Sequence, residues 1–376
     1  MTATLSLYIL RRFLGIALGA FLAVFALIAI VDLVELMRAN RAGAAGFADL
    51  VAMAMMRAPA ITITAAPFTV LLSTMTCLAW LARSSELVVM RGAGVSVWVI
   101  LTPIVAAGVM LGVLSFAVYN PVASALAGRF LQLEERFFGR SSSSLSVSAD
   151  GLWLRQGDQT GQTVINAARA SGPVDRLWDV SIFQFDTADR LTRRIDARSA
   201  ALGERVWRLS GVRRWDFAAE GAPADDAGAA RRETVAVATD EMTIPTDLTT
   251  TRIQDSFAPP ETISFWKLPD FIGLLEDSGF SSARHRLHWH ALLAAPIAFA
   301  AMVLVGAAFS MRHVRFGGLG LMALGCVIAG FGYFFLSDIA RALGASGAVP
   351  VTVAAWAPPA SAVLLALGLL LHFEDG

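Results

Sequence analysis

Charged residues make up only 16% of this chain, so those set between long apolar runs stand out. The stretch "RSSELVVMRGAGVS" (Arg83 to Ser96) holds one acid, Glu86, next to two serines. An apolar turn, Leu87 to Met90, follows, and then Arg91, Gly92 and Gly94. Ser84 or Ser85 can cap a short helix, and Glu86 in its first turn suits the positive end of the dipole. The glycines stop that helix and Ser96 starts the next. An exposed apolar turn tipped by one acid suits another protein's groove. The bland alternative is a hairpin corner packed on its own bundle.

Arginine offers a second chemistry. Arg38 and Arg41 follow the first apolar run, Arg129 and Arg136 follow the third, and Arg284 and Arg286 precede the fourth. Guanidinium binds phosphate through two parallel hydrogen bonds and keeps its charge at any working pH. Arginines at headgroup depth would attract a phosphorylated lipid, or would simply snorkel to ordinary headgroups. "RHRLHWH" tempts a metal reading through His285, His288 and His290. On a helix, however, residue 290 points about 140° away from residue 285, which favours a basic, aromatic interface anchor. Asp32, Glu35 and Asp338 lie at the ends of apolar runs, where acids reach water instead of relaying protons. No nucleophile–base pairing is evident. Lys267, in "ISFWKLP", is the only lysine, so there is no Walker A loop. Any ATP and Mg must be used by another chain, and this one needs no cofactor of its own.

These residues are positioned by apolar runs. Of 376 residues, 56% are hydrophobic and the formal net charge is zero, which gives no case for nucleic acid. Cys77 and Cys326 both sit in apolar runs. About 20 apolar residues cross about 30 Å of hydrocarbon. Six runs qualify: Phe13 to Val31, Ala58 to Ala82, Gly92 to Gly128 (ended by Pro121), Ala291 to Met311, Phe316 to Ser337, and Val351 to Leu371. A kink or break is expected in the last, at the prolines of "APP". The first run is too long for a signal peptide and has no small-residue cleavage site after it. With the N-terminus inside, Arg11, Arg12, Arg83, Arg91, Arg312 and Arg315 face the cytoplasm. Arg38, Arg41, Arg57 and Arg341 fall in the opposite short loops.

The fold class is therefore an α-helical polytopic membrane protein with six transmembrane helices and an inserted all-β periplasmic domain, jelly-roll-like. Residues 1–121 carry the first three spans, with the short helix at 83–92. Residues 122–265 carry a helical lead-in, "VASALAGRFLQLEERFFGR", a serine hinge at Ser141 to Ser144, and then short strand-like pieces rich in Val, Ile, Phe and Trp. Residues 266–376 open with "LPDFIGLLEDSGF", an amphipathic helix expected at the membrane surface, and end with three spans. Gly15/Gly19 and Gly108/Gly112 are G-x-x-x-G pairs, which permit close helix contact or leave room for acyl chains.

"SELVVMRGAGVS" resembles the coupling-helix segment of the lipopolysaccharide export permeases, the LptF/LptG family, and is nearer its LptG branch. "VDLVELMRANRAG", "GLW", "VWRLSGV", "LPDFIGLLEDSG" and "RHRLHWH" follow in the family's order over nearly the whole chain. The resemblance implies that Glu86, flanked by Ser85, Leu87 and Arg91, faces the groove of an LptB-like cytoplasmic ATPase dimer. It implies that Arg38, Arg41, Arg129 and, nearby, Arg136 meet the phosphates of lipid A. It further implies a second, LptF-like permease, a periplasmic β-bridge protein (LptC/LptA-like) and the bacterial inner membrane. The expected function is extraction of lipopolysaccharide from the outer leaflet, with no bond broken in this chain. A membrane sensor or assembly factor would need a cytoplasmic output domain, for which the inner segments are too short. A proton-driven transporter would need acids at mid-span.

Overall fold

The computed structural model describes residues 2–40, 43–138, 145–148, 151–158, 161–170, 176–186, 190–203, 206–217, 237–246, 258–277, 280–310 and 319–374. Six of its helices are long and apolar enough to cross a membrane. In hydrocarbon each backbone N–H and C=O must be satisfied within its own segment, so continuous apolar runs become long helices. They are α1 (Thr2–Ala39), α2 (Phe47–Arg83), α4 (Val97–Leu114) continued by α5 (Asn120–Phe138), and three later helices. Between α2 and α4 lies the short α3 (Glu86–Gly92). After the strands come α6 (Leu268–Asp277), α7 (Ala283–Ser310), α8 (Leu319–Ala345) and α9 (Val351–Glu374). The buried hydroxyls of Thr62, Ser73 and Thr74 donate to the carbonyl four residues back, so α2 keeps them in an apolar setting.

The helical lead-in expected after Pro121 is present: a π-helical turn at Ser115–Tyr119 carries α4 into α5 without a break. The turn redirects the Asn120 N–H to the Ser115 carbonyl. Pro121 has no N–H for the Ala117 carbonyl, which accepts the Trp266 indole N–H at 3.2 Å instead. Asn120 Oδ1 accepts the backbone N–H of Phe265 at 2.8 Å, so both polar groups are matched. In α9, Pro358 and Pro359 lie inside a continuous helix, so of the kink or break expected there the break does not occur.

The bundle core is formed by Phe13, Leu71, Leu78, Ile100, Ile104, Met302 and Val303, among others. Ile9 and Phe13 are fully buried, which ties the first apolar run into the bundle. Gly108 and Gly112 bring α4 against α7. A methyl on Gly112 would lie 2.4 Å from Pro296 Cα, and one on Gly108 would lie 2.9 Å from a Val303 methyl. Around Gly15 and Gly19 such a methyl would meet nothing within 4 Å.

The described strands are β1 (Leu145–Ser148), β2 (Gly151–Asp158), β3 (Gly161–Ala170), β4 (Arg176–Phe185), β5 (Leu191–Leu202), β6 (Val206–Asp216) and β7 (Val237–Pro245). They form one antiparallel sheet in chain order, with every described neighbour consecutive. Alternate residues turn inward: Leu152 and Leu154, Ile165 and Ala167, Ile195 and Ala197, Trp207 and Leu209. Two irregularities reset that alternation. Asp179 has φ 54°, between inward Leu177 and Val180. Gly211 has φ 64°, between inward Leu209 and Val212, and the Arg198 side chain would sit 3.1 Å from any Cβ there. Only glycine fits this positive φ without strain.

The chain divides into two compact units: residues 1–138, 260–269 and 283–376, and residues 139–259 and 270–282. Phe271 and Leu275, read from sequence as the face of an interfacial helix, pack with Phe280 into the sheet's core. The apolar stripe of α6 thus has a partner within the β unit. The serine hinge, Ser141 to Ser144, lies outside the described residues.

Candidate coupling and headgroup sites

The seven residues of α3 stand on an unusual start. Ser85 is in the left-handed region at φ 59°, a conformation that costs a non-glycine residue strain. Neither serine caps the helix with its side chain, contrary to the sequence reading: at Ser85 no cap bond forms, and Ser84 Oγ donates back to the Leu81 carbonyl at 3.3 Å. The stop and restart are as expected. Gly94 takes φ +80°, and Ser96 Oγ accepts the Trp98 N–H at 3.2 Å. Leu87 is buried in the bundle core, whereas Val88 and Val89 are each 68% exposed. One residue thus anchors the turn on the bundle and two present it. Arg91 is exposed at its end.

Glu86 is held from the side. The Tyr8 hydroxyl of α1 donates to its carboxylate, 3.0 Å from Oε2 and 3.3 Å from Oε1. One turn along α1, the Arg12 guanidinium lies 3.4 Å above the Trp80 ring of α2. Sequence reasoning missed both contacts, because no local spacing links residue 8 to residue 86.

At the other end of α1, Leu36, Leu50, Met53, Ala54 and Phe130 form a separate apolar cluster that joins α1, α2 and α5. The helices bearing Arg38, Arg129 and Arg136 are thereby gathered, with all three side chains exposed. Arg136 stacks over Phe137 at 5.8 Å. Arg41 lies outside the described residues, as do Arg312 and Arg315. Arg57 and Arg341 are helical residues of α2 and α8, not loop residues. Asp32 does not reach water: it is 3% exposed and pairs with Arg57 at 3.0 Å, while that guanidinium also lies 5.3 Å from the Phe130 ring. A buried carboxylate needs such a partner.

In "RHRLHWH", His290 Nδ1 accepts the Trp356 indole N–H at 3.5 Å, which joins α7 to α9. Among the described residues, no three His, Cys, Asp or Glu side chains gather as a metal site. On the β unit, a cleft of about 720 Å³ is lined by Asp179, Asp196, Arg198, Arg213 and Asp240, among others. Its charges suit polar ligands, not acyl chains. On the same unit, Arg193 donates to Asp216 at 2.6 Å and holds that carboxyl below its ordinary range.

The sequence model of the family described as "Lipopolysaccharide export system permease LptF/LptG" matches residues 7–372. Two curated relatives carry the name lipopolysaccharide export system permease protein LptG, from Escherichia coli strain K12 and from E. coli O6:H1 strain CFT073. Each is 25% identical over 308 residues, covering 81% of this chain and 81% of the relative. Six membrane-length helices, an antiparallel β insertion and a match from end to end place this chain in the LptF/LptG family of lipopolysaccharide export permeases.

Proposed function

We propose that this chain is the permease half of an ATP-driven exporter in the bacterial inner membrane, lifting lipopolysaccharide from the outer leaflet to its own periplasmic β domain. The observation that carries this reading is α3: a helical turn anchored by Leu87, with Val88 and Val89 bare and one acid at its tip, inside a chain of an export-permease family. A surface of that shape suits the groove of a cytoplasmic ATPase dimer, LptB-like, which binds ATP and Mg. Closure of that dimer pushes on α3 beside Glu86, with Ser85, Leu87 and Arg91 flanking the contact. The push tilts the spans and narrows the lipid cavity. Arg38, Arg41, Arg129 and Arg136 hold the headgroup phosphates at the outer face. A second, LptF-like permease completes the cavity, and an LptC/LptA-like bridge receives the lipid.

Two experiments test this reading. Purification from native membranes with mild detergent is expected to bring down the ATPase, the second permease and bound lipopolysaccharide together; a chain that purifies with no ATPase contradicts it. Cysteine-accessibility labelling is expected to find position 143 outside and position 85 inside, and the reverse pattern would overturn the orientation.

A further inference from the structure

We propose that Tyr8 is a positioning residue for the coupling acid: it fixes the Glu86 carboxylate in the orientation the ATPase meets, and with Arg12 it fastens α1 to the coupling turn. The proposal rests on the docking role given to Glu86 above. Tyr8 reaches both carboxylate oxygens, at 3.0 and 3.3 Å, and it is the only hydrogen-bond partner of that carboxylate among the described residues. Its own helix is firmly seated, since the adjacent Ile9 and nearby Phe13 are fully buried. Residues 8 and 12 are one turn apart on the same face of α1. Tyr8 grips the first residue of α3 while Arg12 grips Trp80, just before α2 ends at Arg83. The left-handed turn at Ser85 lies between these two points.

This clamp has a mechanical consequence. Glu86 extends from a seven-residue helix and would otherwise sample several rotamers. A hydroxyl donor fixed on a buried helix removes that freedom before docking. The gripped helix is the same one that carries Arg38 in its last turn, 38 residues of uninterrupted α-helix and about 57 Å long. Displacement of α3 therefore moves α1 directly, without routing through α2 alone.

The test is a double-mutant cycle on the assembled complex. Tyr8→Phe, Glu86→Ala and the double variant are each co-expressed with the partner ATPase, and ATPase affinity is measured on the detergent-purified permease. Tyr8→Phe removes one hydrogen bond to a charged group at an exposed site, so a loss of about two- to fivefold is expected. On the Glu86→Ala background, which leaves the Tyr8 hydroxyl no acceptor there, the same change is expected to have little further effect, because Tyr8 acts through that carboxylate. A merely structural tyrosine would give equal losses on both backgrounds, and that result overturns the proposal. Unchanged affinity in Tyr8→Phe, with a clear loss in Glu86→Ala, also overturns it and leaves the docking role intact. Unchanged affinity in Glu86→Ala removes the docking role, and the proposal falls with it.

Discussion

Gly15/Gly19 on α1 and Gly108/Gly112 on α4 share one spacing and meet opposite surroundings. The α4 pair is pressed against α7, with Pro296 and Val303 closer than any real Cβ would allow. The α1 pair looks onto open space. A G-x-x-x-G pair thus records only that a helix face is flat; what covers the face depends on the neighbouring helix. On α4 the cover is this chain's own central helix. On α1, where most of the span is unburied, the flat face remains available to lipid or to another subunit. The permease has one helix locked into its bundle and another held at its ends, by Tyr8 and Arg12 at one and by Asp32 and Arg57 at the other.

Substitution separates the two cases. Gly112→Ala is expected to cause the largest loss, about 3 kcal/mol, because the new methyl meets backbone that cannot yield. It would appear as a lower melting temperature in detergent, and an unchanged melt would mean that α4 and α7 do not meet there. Arg57→Ala strands the buried Asp32 carboxylate of α1. The loss should be about 1–3 kcal/mol, less than for a fully buried pair because Arg57 is 37% exposed. Asp32→Asn in the same chain should restore part of it. Gly108→Ala, whose one tight contact is a valine methyl, should cost about 1 kcal/mol. Gly15→Ala and Gly19→Ala should stay within about 0.5 kcal/mol in the isolated chain, or stabilise it slightly through helix propensity. A large loss at Gly15 or Gly19 would erase the distinction between the two faces.

The six spans were legible because each is a run of about 20 apolar residues, and no other structure tolerates that length in a bilayer. The short helix was legible from its punctuation: Gly94 and Ser96 act as their types suggest. Less legible was anything set by partners distant in sequence. The helical continuation past Pro121 could be read, but not the π turn and the Trp266 indole that satisfy what the proline disrupts. Asp32 reads as a solvated end residue until Arg57, 25 positions away, folds against it. The amphipathic α6 shows a correct apolar stripe, but a stripe does not say whether lipid or a sheet will cover it. Of the candidate site, Glu86 and the exposed Arg38, Arg129 and Arg136 could be named from sequence, whereas Tyr8 could not.

Lipopolysaccharide extraction per ATP hydrolysed, by this chain reconstituted in vesicles with the second permease and the ATPase proposed for it, tests the central claim most directly. With Glu86→Ala in this chain, insertion should be normal and extraction should fall by about tenfold or more. Undiminished extraction by that variant would contradict a drive delivered through α3.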